Sequence, residues 1–522
     1  MFDRRTLVNQ LKEQSQWDVI IVGGGATGLG IALDSTTRGY KTVLLEQVDF
    51  AKGTSSRSTK LVHGGVRYLA QGNIDLVKEA LYERGLMLKN ASHLVSNQSF
   101  IIPNYKWWDV FLYTVGLKMY DFLAGKLSFG KSLRISKSET ASRLKTIKSE
   151  NLKGGVVYHD GQFDDSRLAV NIAQTAIEQG ATVLNHFKVE KLLKNETGIV
   201  NGVVAKDTET NNEYNLTAKV VINATGVFTD EVLKMDDALA QNTIRPSQGV
   251  HLVLDASFLP GNDAIMIPKT DDGRVLFLVP WHNRVVVGTT DTLLDSHSLE
   301  PKPLDKEIDF ILETANRYLN KQVTKMDVLS VFAGLRPLAA PKDKSEKTKE
   351  ISRSHKIIVS KSGLITITGG KWTTYRRMAQ DTVNKAIELG KLAPSKCKTK
   401  DLLIHGANGN VNKSQHLYIY GTDQKAINQL IKESPELGEK LHPRLEFLKA
   451  EVIWAIRNEM ARTVEDVLAR RVRVLFLDAN AAIEIAPLVA SILAKELNKN
   501  DDWRQEQISG FIEIASQYVI KI

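Results

Sequence analysis

Gly23, Gly25 and Gly28 stand at G-x-G-x-x-G spacing in WDVIIVGGGATGLGIALDSTTRGYKTVLLEQ, and Glu46 lies near the end of the same stretch. The chemistry open to such a set is the holding of a dinucleotide. The first glycine permits a tight turn, the second lets the backbone approach a pyrophosphate, and the third lets a helix pack closely on a strand. Bare N–H groups at the start of that helix attract phosphate, and an acid about 20 residues on suits an unphosphorylated ribose. This is the ADP half common to FAD and NAD, and Glu46 does not choose between them. The elements that must position the set are in register: an apolar strand ending at Val22, a glycine turn, a helix, and a second strand in KTVLLE.

The loop that follows, SSRSTKLVHGGVRYL (Ser55 to Leu69), neither alternates as a strand nor repeats as an amphipathic helix. An NAD enzyme would normally continue its strand–helix alternation here. A polar, glycine-rich loop can run instead along a flavin's ribityl chain and pyrophosphate, which favours FAD. The chain returns later with AKVVINATG, a buried strand ending at Gly226. It returns again with GLITITGGKWTTYRRMAQ, a strand, a Gly369–Gly370 turn and a long helix starting near Lys371. A helix N-terminus and an ammonium beside the flavin N1/C2 carbonyl stabilise the anionic reduced ring. On spacing alone, Lys371 reads equally as a solvated lysine at a helix start. The expected cofactor-binding residues are Gly23, Gly25, Gly28, Glu46, Thr54, Ser55, Ser56, Lys60, Leu61, His63, Gly64, Gly226, Gly369, Gly370 and Thr373; for His63 a structural hydrogen bond is the alternative.

Taken together, DVIIVGGGATGLGIALD, TSSRSTKLVHGGVRYL, VINATG, VVVGTTDT, GLRPL and GGKWTTYR resemble the FAD-dependent glycerol-3-phosphate dehydrogenases. These are a branch of the D-amino-acid-oxidase-like flavoproteins. The resemblance runs from about Trp17 through the C-terminal helices. Its specific part is the joint occurrence of TKLVHGGVRYL, AGLRPL and GGKWTTYR, because the first glycine motif and ATG are shared by many flavoproteins. It implies an α/β chain, α+β overall, with a Rossmann-like FAD-binding domain, an antiparallel-sheet substrate cap and a helical C-terminal domain. It also implies oxidation of sn-glycerol 3-phosphate to dihydroxyacetone phosphate by hydride transfer to FAD, with electrons passed to membrane quinone. The extra segment typical of the related oxidases is not apparent, which favours a dehydrogenase over a glycerol-3-phosphate oxidase. An amine or amino-acid oxidase of the same superfamily is the remaining alternative.

A dianionic substrate needs cations. In VFAGLRPLAA, Arg336 carries a planar fork able to grip phosphate oxygens in pairs, although spacing alone reads it as a surface arginine. The resemblance makes it a phosphate contact. Arg67 is the second cation, and with Tyr68 it belongs to GGVRY, expected as the near wall of the substrate pocket. The proton of the alcohol needs a base, and imidazole is the group best poised near neutral pH. His251, after the glycine of SQGVHLVL, matches a pocket position in the family and is the preferred base, with Lys371 the other candidate. No metal is called for.

The whole chain sets the frame. It has 522 residues, with 69 Lys and Arg against 60 Asp and Glu, a net charge of +9. That excess fits a solvated basic surface, anionic lipid or a phosphorylated substrate, and no nucleic-acid partner is expected. Cys397, the single cysteine, excludes an intramolecular disulfide and a thiolate metal cluster. The first residues are too charged for a signal peptide, and no apolar run reaches the roughly 20 residues that span a bilayer. The expected location is therefore the cytoplasm or the cytoplasmic face of the cell membrane, held peripherally. Oligomeric state stays open, a homodimer among the options.

Residues 1–90, 151–240 and 351–395 are expected to build the FAD-binding domain. Residues 91–150 form a cap or membrane-contacting insertion, 241–350 the substrate cap with an amphipathic helix in 301–320, and 396–522 the helical C-terminal domain. The aromatic stretch from Trp107 to Leu123 reads equally as a helix lying at a membrane interface or as a buried cap helix. PKDKSEKTKE (Pro341 to Glu350) reads as a charged loop, and the Arg470–Arg471 pair as a solvated helix face.

Overall fold

The computed structural model describes residues 3–521 except 15, 67, 68, 70, 71, 272, 340–354, 408–411 and 414. The charged loop at 341–350 therefore lies outside the described residues.

Val19, Ile20 and Ile21 have no exposed surface, so their strand, Gln16–Val22, must be covered on both faces. It lies at the centre of a mainly parallel sheet. Glu213–Asn223 pairs with it on one side and Thr42–Leu45 on the other, and Thr182–Leu184 and Ile365–Thr368 extend the sheet outwards. The helices Ala26–Thr37 and Tyr375–Leu389 pack against one another on this sheet. Val22, Leu45, Asn223 and Thr366 share one end of the ladder. Ligands bind outside the carboxyl ends of strands in open α/β sheets.

The second sheet is mostly antiparallel and has ten strands among the described residues. The long strand Ile244–Asp255 pairs with the equally long Val328–Ala339 along almost its full length and with Arg284–Gly288 on the other edge. Gly154–Gln162 also belongs to this sheet, in a nine-pair ladder with Ser96–Asn104. That corrects the assignment of all of 151–240 to the nucleotide-binding domain. The chain crosses into the cap twice, and only from Asp165 does it return to cover the parallel sheet.

The helix Trp107–Ala124 buries Val110 and Leu117 against the second sheet, and Tyr120 and Ala124 against Val77 and Leu81 of the helix Ile74–Asn90. Its other face is open: Trp108 is 82% and Phe122 84% exposed, with Trp107, Phe111 and Leu112 beside them. Of the two sequence readings, a fully buried cap helix is thereby excluded.

The C-terminal helices, among them Lys449–Asn458, Ala479–Glu496 and Asp501–Ala515, share one apolar core with Val253, Val286 and Phe332 of the second sheet. Arg470 and Arg471 do not lie on a solvated face. Both are buried, because the loop after the second strand offers them Asp49. Arg470 Nε reaches an Asp49 oxygen at 2.5 Å, and Arg471 reaches both oxygens at 2.9 and 3.0 Å. These guanidinium groups hold the Asp49 carboxyl below its usual range against the opposing effect of burial. Buried charges persist when paired in this way, and losing one partner strands the other.

Candidate active site

The nucleotide end is built from backbone. Gly23 has φ +107°, and a Cβ there would stand 2.8 Å from the Ala224 carbonyl oxygen. A Cβ on Gly28 would stand 1.9 Å from the Gly23 carbonyl oxygen, so only glycine lets the helix sit on the turn. Gly24 N donates to one Glu46 oxygen at 2.7 Å and Val48 N to the other at 2.9 Å. The carboxyl is thus fixed at the end of its strand, and burial pushes its pKa up. Ser55 Oγ accepts from Ala26 N at 2.9 Å, tying the following loop to the helix start.

A cleft of about 1350 Å³, open to solvent, runs from Glu46 past Gly23, Gly25, Thr54, Ser55 and Gly226 to Gly369, Gly370 and Lys371. The same glycines show why this cradle fits FAD. A Cβ on Gly25 would stand 3.2 Å from Ser55 Oγ, and one on Gly370 would stand 2.3 Å from Met378 Sδ. A Cβ on Gly226 would meet nothing within 4 Å, so bare backbone there faces the open cleft, a surface that a pyrophosphate can approach, and Glu46 lines the same cleft.

The groove does not stop at Lys371. A contiguous cavity of about 1110 Å³ is lined by Thr59, Leu61, His63, His251, Arg336, Lys371 and Thr373. A further one of about 970 Å³ holds Thr59, His63, Arg274, Phe277 and Arg336. Arg336 is held at both tips of its fork: Nη1 donates to Gln248 O at 3.4 Å and Asp291 Oδ1 at 3.3 Å, Nη2 to Thr290 O at 3.1 Å and Thr289 Oγ1 at 3.2 Å. Gly249 makes room for it, since a Cβ there would stand 2.4 Å from Nη2. His251 is buried, stacked on Phe332 at 4.8 Å, with Nε2 at 2.9 Å from Thr59 Oγ1. Burial, with the Lys60 and Arg336 charges, holds its pKa well below the usual imidazole value and keeps the ring neutral. Lys371 precedes the short helical turn Trp372–Thr374 that leads into Tyr375–Leu389, and Trp372 Nε1 donates to Ser55 O at 2.8 Å.

The expected residues divide into three groups. Gly23, Gly25, Glu46, Thr54, Ser55, Leu61, His63, Gly226, Gly369, Gly370, Lys371, Thr373, His251 and Arg336 all line this one groove, and Gly28 packs beneath it. Ser56, Lys60 and Gly64 do not line it, although they belong to the same loop. Lys60 turns into the protein, donating to Asp165 Oδ2 and Ser56 O at 2.7 Å each, among the rings of Trp281, Phe332 and Phe476. Burial lowers its pKa to about 7, against the opposing pull of Asp165. Ser56 is buried and its carbonyl accepts from both Lys60 and Arg473. Gly64 abuts Tyr120, accepting no side chain and donating its N–H to the Tyr120 hydroxyl at 2.8 Å. Arg67 and Tyr68 lie outside the described residues.

Sequence reasoning missed Thr59, Gly249, Arg274 and the Thr289–Asp291 segment as parts of the site. The glycine before His251 in SQGVH was the available signal for Gly249. Nothing local in DDGRVLF distinguishes Arg274 from a surface arginine.

The fold and this groove define the class, an FAD-dependent oxidoreductase. The family model described as FAD dependent oxidoreductase matches residues 18–376, and that for the C-terminal domain of alpha-glycerophosphate oxidase matches residues 364–504. The chain is 43% identical to the probable mitochondrial glycerol-3-phosphate dehydrogenase of Caenorhabditis elegans, over 99% of this chain and 75% of the relative. It is 38% identical to the mitochondrial glycerol-3-phosphate dehydrogenase of Saccharomyces cerevisiae, over 98% of this chain and 91% of that one. The FAD complex of glycerol-3-phosphate dehydrogenase from Bacillus halodurans superimposes with a TM-score of 0.81 at 29% identity, covering both chains fully. The chain belongs to the FAD-dependent glycerol-3-phosphate dehydrogenase family.

Proposed function

We propose that the groove oxidises sn-glycerol 3-phosphate to dihydroxyacetone phosphate, and that the electrons leave to a membrane quinone. The observation that carries the reading is the continuity of one groove from a ribose-directed carboxylate to a pre-oriented arginine, with a neutral imidazole between them.

Glu46 and the Gly23–Gly28 turn would hold the ADP end of FAD, and Gly369, Gly370 and Lys371 the ring end. Bound FAD supplies a two-electron acceptor that takes the C2 hydrogen as hydride. The chain's own residues do the rest. Arg336, oriented by Gln248, Asp291 and the 289–290 segment, brings its fixed positive charge to the phosphate end of the cavity, and Arg274 adds a second cation. Fixed cations that need not reorient act more strongly than mobile ones. His251, kept neutral, receives the hydroxyl proton. The Lys371 ammonium stands at the ring end of the groove, where negative charge collects on reduction.

The open face of Trp107–Ala124 is the seat on the bilayer. Aromatic rings flanked by Lys106 and Lys118 are what an interface-lying helix presents, and among the described residues no helix is long and apolar enough to cross a membrane. Replacing Trp108 and Phe122 by serine should weaken binding to lipid vesicles by about 1.5–3 kcal/mol per ring, read by co-sedimentation. Unchanged sedimentation would remove this seat.

The function is tested by mixing the FAD-loaded protein anaerobically with glycerol 3-phosphate, then with a quinone analogue or oxygen. Bleaching of the flavin and faster reoxidation by the quinone are expected. No bleaching by glycerol 3-phosphate contradicts the reading, and preferential reoxidation by oxygen turns it to an oxidase.

A further inference from the structure

We propose that Thr59 relays the substrate's hydroxyl proton to His251, so that the base itself never touches the substrate. The inference rests on the assignment of His251 as base and adds the route by which the proton reaches it.

His251 is only 2% exposed. One face of its ring lies on Phe332, and Gly288 packs so near the edge that a Cβ there would stand 2.4 Å from Cδ2. Nδ1 is enclosed and has no hydrogen-bond partner among the described residues. Nε2 is therefore the ring's polar outlet, and Thr59 Oγ1 occupies it at 2.9 Å. Thr59 is half-buried and lines both of the cavities that Arg336 lines, whereas His251 lines only one of them. A hydroxyl carries one proton and two lone pairs, so it can accept one proton while donating another.

The step balances. The C2 hydroxyl O–H breaks and a Thr59 O–H forms, while Thr59's original O–H breaks and a His251 Nε2–H forms. The C2–H leaves with its electron pair to FAD, and the C2–O bond becomes a carbonyl. Thr59 ends as it began. The imidazole must start with its proton on Nδ1, the tautomer in which Nε2 accepts from Thr59.

The buried ion cluster behind the loop acquires a purpose in this arrangement. Asp165 Oδ2 accepts from Ser58 N at 3.1 Å, from Ser58 Oγ at 2.7 Å and from Lys60 Nζ at 2.7 Å. Arg473, from the C-terminal domain, holds Asp165 Oδ1 at 3.0 Å and Ser56 O at 2.9 Å. Thr59 is thus clamped on both flanks, as a relay must be if it is to keep its distance from Nε2.

The test uses FAD-loaded protein and glycerol 3-phosphate under anaerobic stopped flow. Thr59→Val keeps the shape and removes the hydroxyl. It should lower the flavin reduction rate at saturating substrate by about 100-fold or more, with flavin content and substrate affinity near wild type. Thr59→Ser should restore most of the rate. Wild-type-like reduction by Thr59→Val overturns the relay and leaves the base assignment standing; a wild type that glycerol 3-phosphate does not bleach overturns the functional reading itself. Should Thr59→Val lose its flavin, the wild type alone decides. Its reduction rate in mixtures of light and heavy water should bend downwards, as two protons in flight require, and a straight line overturns the relay.

Discussion

The two ends of the groove are made by different means. At the nucleotide end, backbone does the shaping: Gly23, Gly25 and Gly28 lie within six residues, and their work follows from the absence of a Cβ. At the substrate end, side chains from distant segments converge. Thr59 comes from the loop after the second strand, His251 and Gly249 from the long cap strand, and Arg336 from its antiparallel partner. Backbone sites are local in sequence and intolerant of any added atom. Side-chain sites are dispersed, and each member can be altered while the cradle persists. Binding FAD and oxidising a substrate should therefore be separable by mutation.

The largest effect expected at the backbone end is that of Gly28→Ala. Its methyl would overlap the Gly23 carbonyl, forcing helix and turn apart at a cost of about 3 kcal/mol. Purified protein should then carry little flavin by absorbance; full flavin content would break the contrast. At the side-chain end, Arg336→Lys should keep flavin and lose about 2–4 kcal/mol in kcat/KM, because a lysine cannot reproduce the fork. Loss of flavin in this variant would show that the two ends are not independent.

A smaller effect concerns pH. The folded chain holds the His251 pKa well below the unfolded value of about 6.5. The unfolded state therefore binds more protons as pH falls, so this residue's contribution is present above pH 6.5 and is lost on acidification. Urea titrations between about pH 6.5 and pH 5 should show a stability decline steeper in wild type than in His251→Asn, by up to about 1.4 kcal/mol per pH unit. Equal slopes would mean that the ring is solvated and not buried as described.

The contrast also explains what could be read in advance. The glycine turn, Glu46 at the end of its strand, the returning strands and the Gly369–Lys371 turn were legible because their geometry is set within a few residues. The family motifs supplied Arg336 and His251, which spacing alone could not. Lys60, Ser56 and Gly64 do not line the groove, because membership of a loop does not tell which side of it a residue faces; Asp165, over a hundred residues on, decides that for Lys60. Arg470 and Arg471 read as a surface pair because Arg470's partner Asp49 is 421 residues away in sequence. Gly154–Gln162 was assigned to the wrong sheet for a related reason: a strand between two crossovers carries no mark of the sheet it joins.

The central claim is one continuous groove that holds FAD and aims a phosphorylated alcohol at its ring. A crystal structure with FAD and glycerol 3-phosphate bound tests it most directly. The ring should lie beside Lys371, with the phosphate on Arg336 and the C2 hydroxyl on the Thr59–His251 side. A phosphate bound away from Arg336, or a flavin ring outside the space between Lys371 and His251, would contradict it.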